Sequence, residues 1–411
     1  MFPASPVMLL DLLKRQQPGM TLEQPFYTDP AIFEEDLNRI VARQWLFVDH
    51  VSAVPQPGDV LTYEIAGESI ILVRGRDREV RAFFNVCRHR GSRIITKGCD
   101  HVRTLTCPYH AWTWDLEGRL VRARLMADDF RPEDWPLHAC RTHIYQGLVF
   151  ICLADEDDEA VIEFDSIADR LDPYIESHCL AEAKVAARKA YPTAGNWKLA
   201  VENFRECYHC APAHPGYTSV NAYVIDGERD QQARSETVAT WAATWEKRGF
   251  VTRGTGVWGD SFDERQPHAA IRQPIKEGYL TLSKDGRPVA PLMGRLTDWD
   301  GGETLMVFGP LFYIYLAGDH AALFRFTPVH ATHTDVEVTW LVNGDAREGE
   351  DYDEGRLTWM WDVTTIEDTR IIGNNQLGVN SRRYRPGRYS TKERATTNFV
   401  EWYKRRMGDQ T

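Results

Sequence analysis

The pattern of apolar and polar positions changes character twice along the chain. Residues 1–44 read as helical. Met8–Leu13 is the most apolar early stretch, interrupted by Asp11 and closed by Lys14 and Arg15, and Pro18-Gly19 breaks the helical pattern beyond it. This predicts an amphipathic N-terminal segment packing on the body of the protein. From about Trp45 the period shortens. Val60–Ile65 and Ile70–Val73 alternate or run apolar around a turn at Gly67, and Ala82–Val86, Leu105–Cys107, Trp112–Trp114 and Leu148–Cys152 are further short strands. They predict a small antiparallel β domain over 45–155. The acidic run Asp155-Glu156-Asp157-Asp158-Glu159 reads as an exposed linker. Over 156–411 the signals mix. A helix is expected over about 197–210, strands at Phe312–Leu316, Leu323–Phe326 and Val336–Val342, and helices over about 350–376 and 392–406. The fold class is therefore α+β: a small antiparallel β domain followed by a curved antiparallel sheet around one long helix.

Composition narrows the partners. Of the 411 residues, 48 are Lys or Arg and 60 are Asp or Glu, a formal charge of −12. That balance argues against nucleic acid or an anionic membrane as the main partner. No stretch approaches the roughly 20 apolar residues of a bilayer helix, and no basic stretch with a cleavage site marks a secretory signal, so a cytoplasmic location is expected. Eight cysteines are too few for a disulfide scaffold in a chain this long, and free or metal-bound thiols are expected.

The chemistry is concentrated in two places. The first is Cys87-Arg88-His89-Arg90-Gly91 with Cys107-Pro108-Tyr109-His110-Ala111-Trp112. Each arm carries one thiolate and one imidazole, whereas a zinc finger usually pairs like with like. The mixed set suits two irons bridged by sulfide, with thiolates on one and imidazoles on the other. Such a cluster has a potential of roughly −150 to +300 mV, above that of an all-cysteine one. A structural zinc site is the alternative. Cys99, His101, His138 and Cys140 lie nearby but do not repeat the two-arm pattern.

The second is Gly195-Asn196-Trp197-Lys198-Leu199-Ala200-Val201-Glu202-Asn203-Phe204-Arg205-Glu206-Cys207-Tyr208-His209-Cys210-Ala211-Pro212-Ala213-His214. On a continuous helix Glu206 and His209 share a face, and a helix ended by Pro212 lets His214 turn back toward His209. Two imidazoles and a remote carboxylate on one face of an iron leave positions open for O₂. Cys207 and Cys210, a C-x2-C pair around His209, read as small buried hydrophobes. Spacing does not choose the carboxylate among Asp351, Asp353, Glu354, Asp362, Glu367 and Asp368.

Cys-x-His-Arg-Gly with Cys-Pro-Tyr-His-x-Trp resembles the Rieske [2Fe–2S] domain of the Rieske non-haem iron oxygenases, and His209 with His214 resembles the mononuclear-iron motif of their catalytic α subunits. The resemblance spans the chain. It implies Cys87 and Cys107 on one iron of the cluster and His89 and His110 on the other, and a helix-grip catalytic domain with Fe(II) held by His209, His214 and Asp368. Glu206 is implied to bridge the cluster of one subunit to the iron of its neighbour in a homotrimer. Electrons are implied to come from NAD(P)H through a separate flavin/iron-sulfur reductase. In keeping with this, no Gly-x-Gly-x-x-Gly follows a strand in this chain. Arg-Glu-Cys-Tyr-His-Cys, Asn375-Gln376 and Pro386-Gly387-Arg388-Tyr389-Ser390 look most like the demethylases of betaine and stachydrine. The implied function is a terminal oxygenase that uses O₂ to hydroxylate or N-demethylate a small quaternary ammonium compound, releasing formaldehyde. Oxygenation of an arene is the alternative.

Overall fold

The computed structural model describes residues 6–221, 228–250 and 267–408. The chain divides into two compact units, one of Ala42–Val161 and one of Met1–Val41 with Ile162–Thr411.

In the first unit the alternating segments pair into an antiparallel seven-stranded sheet. Its order is Leu46–His50, Leu148–Cys152, Ala139–Tyr145, Val80–Phe84, Glu68–Arg74, Asp59–Ile65 and Cys99–His101. A second, three-stranded sheet is built from Leu105–Thr106, Thr113–Trp114 and Leu120–Arg122. Val60, Ile71, Val73 and Phe83 supply one wall of the core, and Leu105, Trp112, Trp114, Leu116 and Leu120 supply the other. The strand expected at Ala82–Val86 runs two residues earlier, at Val80–Phe84. Asn85 follows it, and its side chain holds the backbone of Ile94 and Ile95.

The second unit contains a six-stranded antiparallel sheet. Its order is Ala183–Thr193, His333–Asn343, His320–His330, Phe312–Leu316, Gly302–Phe308 and Ala269–Pro274. The helix Glu354–Val379 packs on its Ala183–Thr193 end. Asp353 caps this helix by accepting from the Arg356 N–H. Its buried residues Leu357, Trp361, Thr364, Asp368, Ile372 and Gln376 recur every three or four positions, so the Asp368 carboxylate lies on the face that packs inward.

The helix Trp197–Asn203 is stitched to the same face. Asn196 caps it by accepting from the Lys198 N–H, and the Asn196 N–H donates to Gln376 Oε1 at 2.7 Å. Gly195 permits the approach: a Cβ there would stand 2.5 Å from Ile372 Cγ2. The N-terminal segment joins through Asp36, which is fully buried and paired with Lys198. Trp197 Nε1 and the Tyr403 hydroxyl also donate to the Asp36 carboxylate, so three separate helical segments meet on one anion. Breaking such a buried pair by removing one partner costs about 3–5 kcal/mol.

Glu202, on the same short helix, accepts from the hydroxyls of Tyr27 and Tyr389. Burial raises its carboxyl from 4.5 to about 7, although both hydroxyls pull the other way. Between those values the folded chain keeps a proton that the unfolded chain has released. The stabilisation is therefore full below pH 4.5 and lost as pH rises through about 7. The limit of the effect is about 1.4 kcal/mol per pH unit. Glu303, buried and also raised to about 7, acts with the same sign. Glu202→Gln is expected to flatten part of the fall in unfolding midpoint between about pH 5 and 7. Identical slopes for wild type and variant would exclude Glu202 as its source.

Candidate active site

The two arms of the first constellation have one backbone plan. In each, the cysteine N–H donates to the carbonyl five residues on (Cys87 to Ser92, Cys107 to Trp112), and the N–H four residues on donates back to the cysteine carbonyl (Gly91 to Cys87, Ala111 to Cys107). The returning residue is left-handed in both, with φ of 74° at Gly91 and 58° at Ala111. Glycine takes that conformation freely, whereas for alanine it is strained. Cys87 and Cys107 are buried in the core of the unit, whereas His89 and His110 are exposed at the loop tips. The imidazole rings lie 4.6 Å apart, and His89 stacks on Trp112 at 4.9 Å. Burial raises the Cys87 thiol, and the neighbouring Cys107 sulfur adds to the shift. The four predicted residues are thus brought together, thiols inward and imidazoles outward.

The second constellation forms differently from its sequence reading. The helix stops at Asn203 rather than running to 210. A turn comes next, and a separate short helix, Cys210–Ala213, contains Pro212 instead of ending before it. Pro212 is its third residue, where a missing N–H removes no helical bond. Glu206 therefore meets His209 through a turn and not along a helix face. Glu206 Oε2 accepts from the backbone N–H groups of Tyr208 and His209, and Oε1 lies 2.5 Å from His209 Nδ1. Cys207 and Cys210 are joined as a disulfide across Tyr208-His209. Their reading as small buried hydrophobes is corrected: the turn brings the two sulfurs together, and Cys207 is only partly buried.

His214 comes just after the short helix, and its ring stands nearly perpendicular to that of His209, with centroids 5.0 Å apart. Asp368 Oδ1 lies 3.0 Å from His214 Nε2 and 3.4 Å from His209 Nε2. The three side chains present one ligand atom each within 4.8 Å of one another. Three of the rival carboxylates are engaged elsewhere. Asp362 takes Lys189 Nζ at 2.7 Å and the Tyr191 hydroxyl at 2.6 Å, Asp353 caps the long helix, and Asp351 pairs with Arg347.

Burial alone would lower the His209 imidazole. The hydrogen bonds and charges of Asp368 and Glu206 outweigh it and push it up to about 9. His214 is likewise lowered by burial and raised overall by Asp368 and Glu367. An environment that favours positive charge, with two imidazole nitrogens and a carboxylate oxygen converging, fits a divalent iron. Asn203 was not read from the sequence. Its Nδ2 donates to Asp368 Oδ1 at 2.9 Å and lies 3.0 Å from His209 Nε2, while its buried Oδ1 has no hydrogen-bond partner among the described residues. The sequence carried no signal for this residue, because the expected helix ran on to about 210 and the stop at Asn203 is seen only in the structure.

A run of aromatic contacts leads away from the triad. His214 is 6.5 Å from Tyr217, Tyr217 is 5.9 Å from Trp361, and Trp361 is 4.1 Å from Tyr315 and 5.3 Å from Phe324. Trp361 lies two helical turns before Asp368 on the same face.

These two sites correspond to known families. Residues 44–133 match the Rieske [2Fe–2S] domain, and residues 180–409 match the ring hydroxylating alpha subunit (catalytic domain). The chain belongs to the Rieske non-haem iron oxygenases, as a catalytic α subunit. It is an oxidoreductase with a [2Fe–2S] domain and a non-haem iron domain that uses O₂. It is similar to the glycine betaine monooxygenase oxygenase subunit of Chromohalobacter salexigens, with 38% identity over 96% of this chain and 87% of the relative. The subunit of that name from Pseudomonas aeruginosa is 36% identical over 97% of this chain and 91% of its own. Among solved structures, a quaternary ammonium Rieske monooxygenase described for carnitine oxidation superposes with a TM-score of 0.70. It is 25% identical, covering 97% of this chain and 98% of its own. As an oxygenase subunit of a multicomponent system, the chain works with a reductase. Among the described residues no helix is long and apolar enough to cross a membrane.

Proposed function

We propose that this chain is the terminal oxygenase for a small quaternary ammonium compound of the betaine type, and that it removes an N-methyl group as formaldehyde. The observation that carries the reading is the run of ring contacts that starts at His214 with Tyr217 and continues to Trp361 and Tyr315. A trimethylammonium group gains about 0.5–2 kcal/mol from each ring face it meets. Similarity over nearly the full length to glycine betaine monooxygenase subunits supports the same substrate class.

In this reading the [2Fe–2S] domain comprises 45–155 and the catalytic domain 156–411, with 1–44 packed on the latter. Cys87, Cys107, His89 and His110 hold the cluster. His209, His214 and Asp368 hold the mononuclear iron, which when bound supplies the O₂ activation that amino-acid side chains lack. The residues of the chain do the rest. Glu206 keeps a proton on His209 Nδ1, so that Nε2 presents its lone pair toward Asp368 and the metal, and is the carboxylate that bridges to a neighbouring subunit. Asn203 orients the Asp368 carboxylate. The run of aromatic rings binds the cation and keeps water out. Hydroxylation of an N-methyl carbon gives a hemiaminal, which breaks its C–N bond to release formaldehyde and the tertiary amine. The second oxygen atom leaves as water, taking two electrons and two protons. The partner is an NAD(P)H-dependent flavin/iron-sulfur reductase, and the active assembly is a cytoplasmic homotrimer.

A panel assay with such a reductase tests the reading. Glycine betaine, stachydrine and carnitine are compared with arenes, scoring formaldehyde against diols or phenols. At least one betaine is expected to give formaldehyde in step with NAD(P)H consumed. Diol or phenol formation with no formaldehyde from any betaine would reject it.

A further inference from the structure

His214 has two ring nitrogens and a carboxylate on each. Nε2 faces Asp368 Oδ1 at 3.0 Å, and Nδ1 faces Glu367 Oε2 at 2.8 Å. Glu367 and Asp368 are consecutive on one helix, so their side chains leave it about 100° apart. The imidazole, almost fully buried, spans that angle and is gripped on both edges. Because Nδ1 and Nε2 lie on opposite sides of the ring, the Glu367 oxygen that meets Nδ1 faces away from the point where Nε2 and Asp368 converge. Among the described residues no other side chain hydrogen-bonds to His214 Nδ1, and Glu367 has no other hydrogen-bond or ion-pair partner. The arrangement parallels that at His209, whose Nδ1 meets Glu206 while Nε2 faces Asp368.

We propose that Glu367 is a positioning residue of the mononuclear centre: by accepting the Nδ1–H of His214 it fixes the tautomer and the ring plane that present Nε2 to the metal. The proposal deepens the ligand assignment above and rests on it. A carboxylate on the far nitrogen of a ligating histidine also makes the near nitrogen a better donor, and losing such a partner costs about 10–100-fold in metal affinity or activity. Among the described residues Glu367 serves His214 alone, so its loss weakens the metal site without touching the Rieske loops.

The test compares Glu367→Met, which keeps the length but not the acceptor, with Glu367→Gln, which keeps an acceptor oxygen. The full-length protein, with its cluster intact and the mononuclear site emptied by mild chelation, is titrated with Co(II) and followed by its ligand-field bands. Glu367→Met is expected to bind Co(II) about 10–100-fold more weakly than wild type. Glu367→Gln is expected to recover most of that loss, and both should retain the wild-type cluster spectrum and unfolding midpoint. Wild-type affinity in Glu367→Met would overturn the proposal. So would equal weakening in the two variants accompanied by a lowered midpoint, which would mark a purely structural role. If wild-type protein itself takes up no Co(II), the ligand assignment fails first and this inference falls with it.

Discussion

Asp368→Ala is expected to yield protein that keeps both irons of its cluster, with an unchanged visible spectrum, but loses the mononuclear iron on desalting and forms no product. Among the described residues, Asp368 is the carboxylate that reaches both imidazole Nε2 atoms, at 3.4 Å and 3.0 Å. Without it the site offers two neutral nitrogens, too little donor charge to retain a divalent iron of this type against buffer. The informative control is Asp362→Ala, six residues earlier on the same helix. It removes an acceptor from Lys189 and Tyr191, costs about 1–3 kcal/mol of stability, and leaves the iron in place. Metal analysis of the two variants side by side decides the matter. Iron kept by Asp368→Ala and lost by Asp362→Ala would exchange their roles.

Glu206→Gln is expected to fill both metal sites yet turn over about 100-fold more slowly or worse, the upper end of what an outer carboxylate contributes. The amide keeps the shape and can still accept from the N–H groups of Tyr208 and His209, so the turn survives. With its one oxygen so used, the amide turns its NH₂ toward His209 Nδ1, and the variant loses both the acceptor and the negative charge there, a charge-assisted bond of roughly twice the strength of a neutral one. Iron content separates this outcome from a collapsed site. Near wild-type turnover with full iron would remove Glu206 from its bridging role.

These two variants probe different depths of the sequence. The convergence of the two Rieske loops was legible almost completely, because close pairs of residues write their spacing into short segments: Cys87 to His89 and Cys107 to His110. His209 and His214 were legible for the same reason. Between them the local geometry was not, since a carboxylate turn at Glu206 replaced the continuous helix and a disulfide formed where two apolar thiols were expected. Side-chain capping of that kind competes with helical hydrogen bonds whose propensities differ by only tenths of a kcal/mol, so pattern alone does not settle it.

Asp368 stood out from five rival carboxylates by resemblance and not by spacing. Its selection in space depends on Gly195, Asn196 and Gln376, which dock the short helix against the long one and bring Asn203 and both histidines opposite one turn of it, although 180 residues separate Asn196 from Gln376. The same docking leaves Asp362 to Lys189 and turns Glu367 onto the outer nitrogen of His214. Residue types and short spacings thus marked the two places where the chain is equipped to hold metal, because ligand chemistry is local. Which carboxylate meets both histidines and which one meets the far edge of His214 depended on packing between distant segments, where a rotation of the long helix by one residue, about 100°, would have exchanged Glu367 and Asp368.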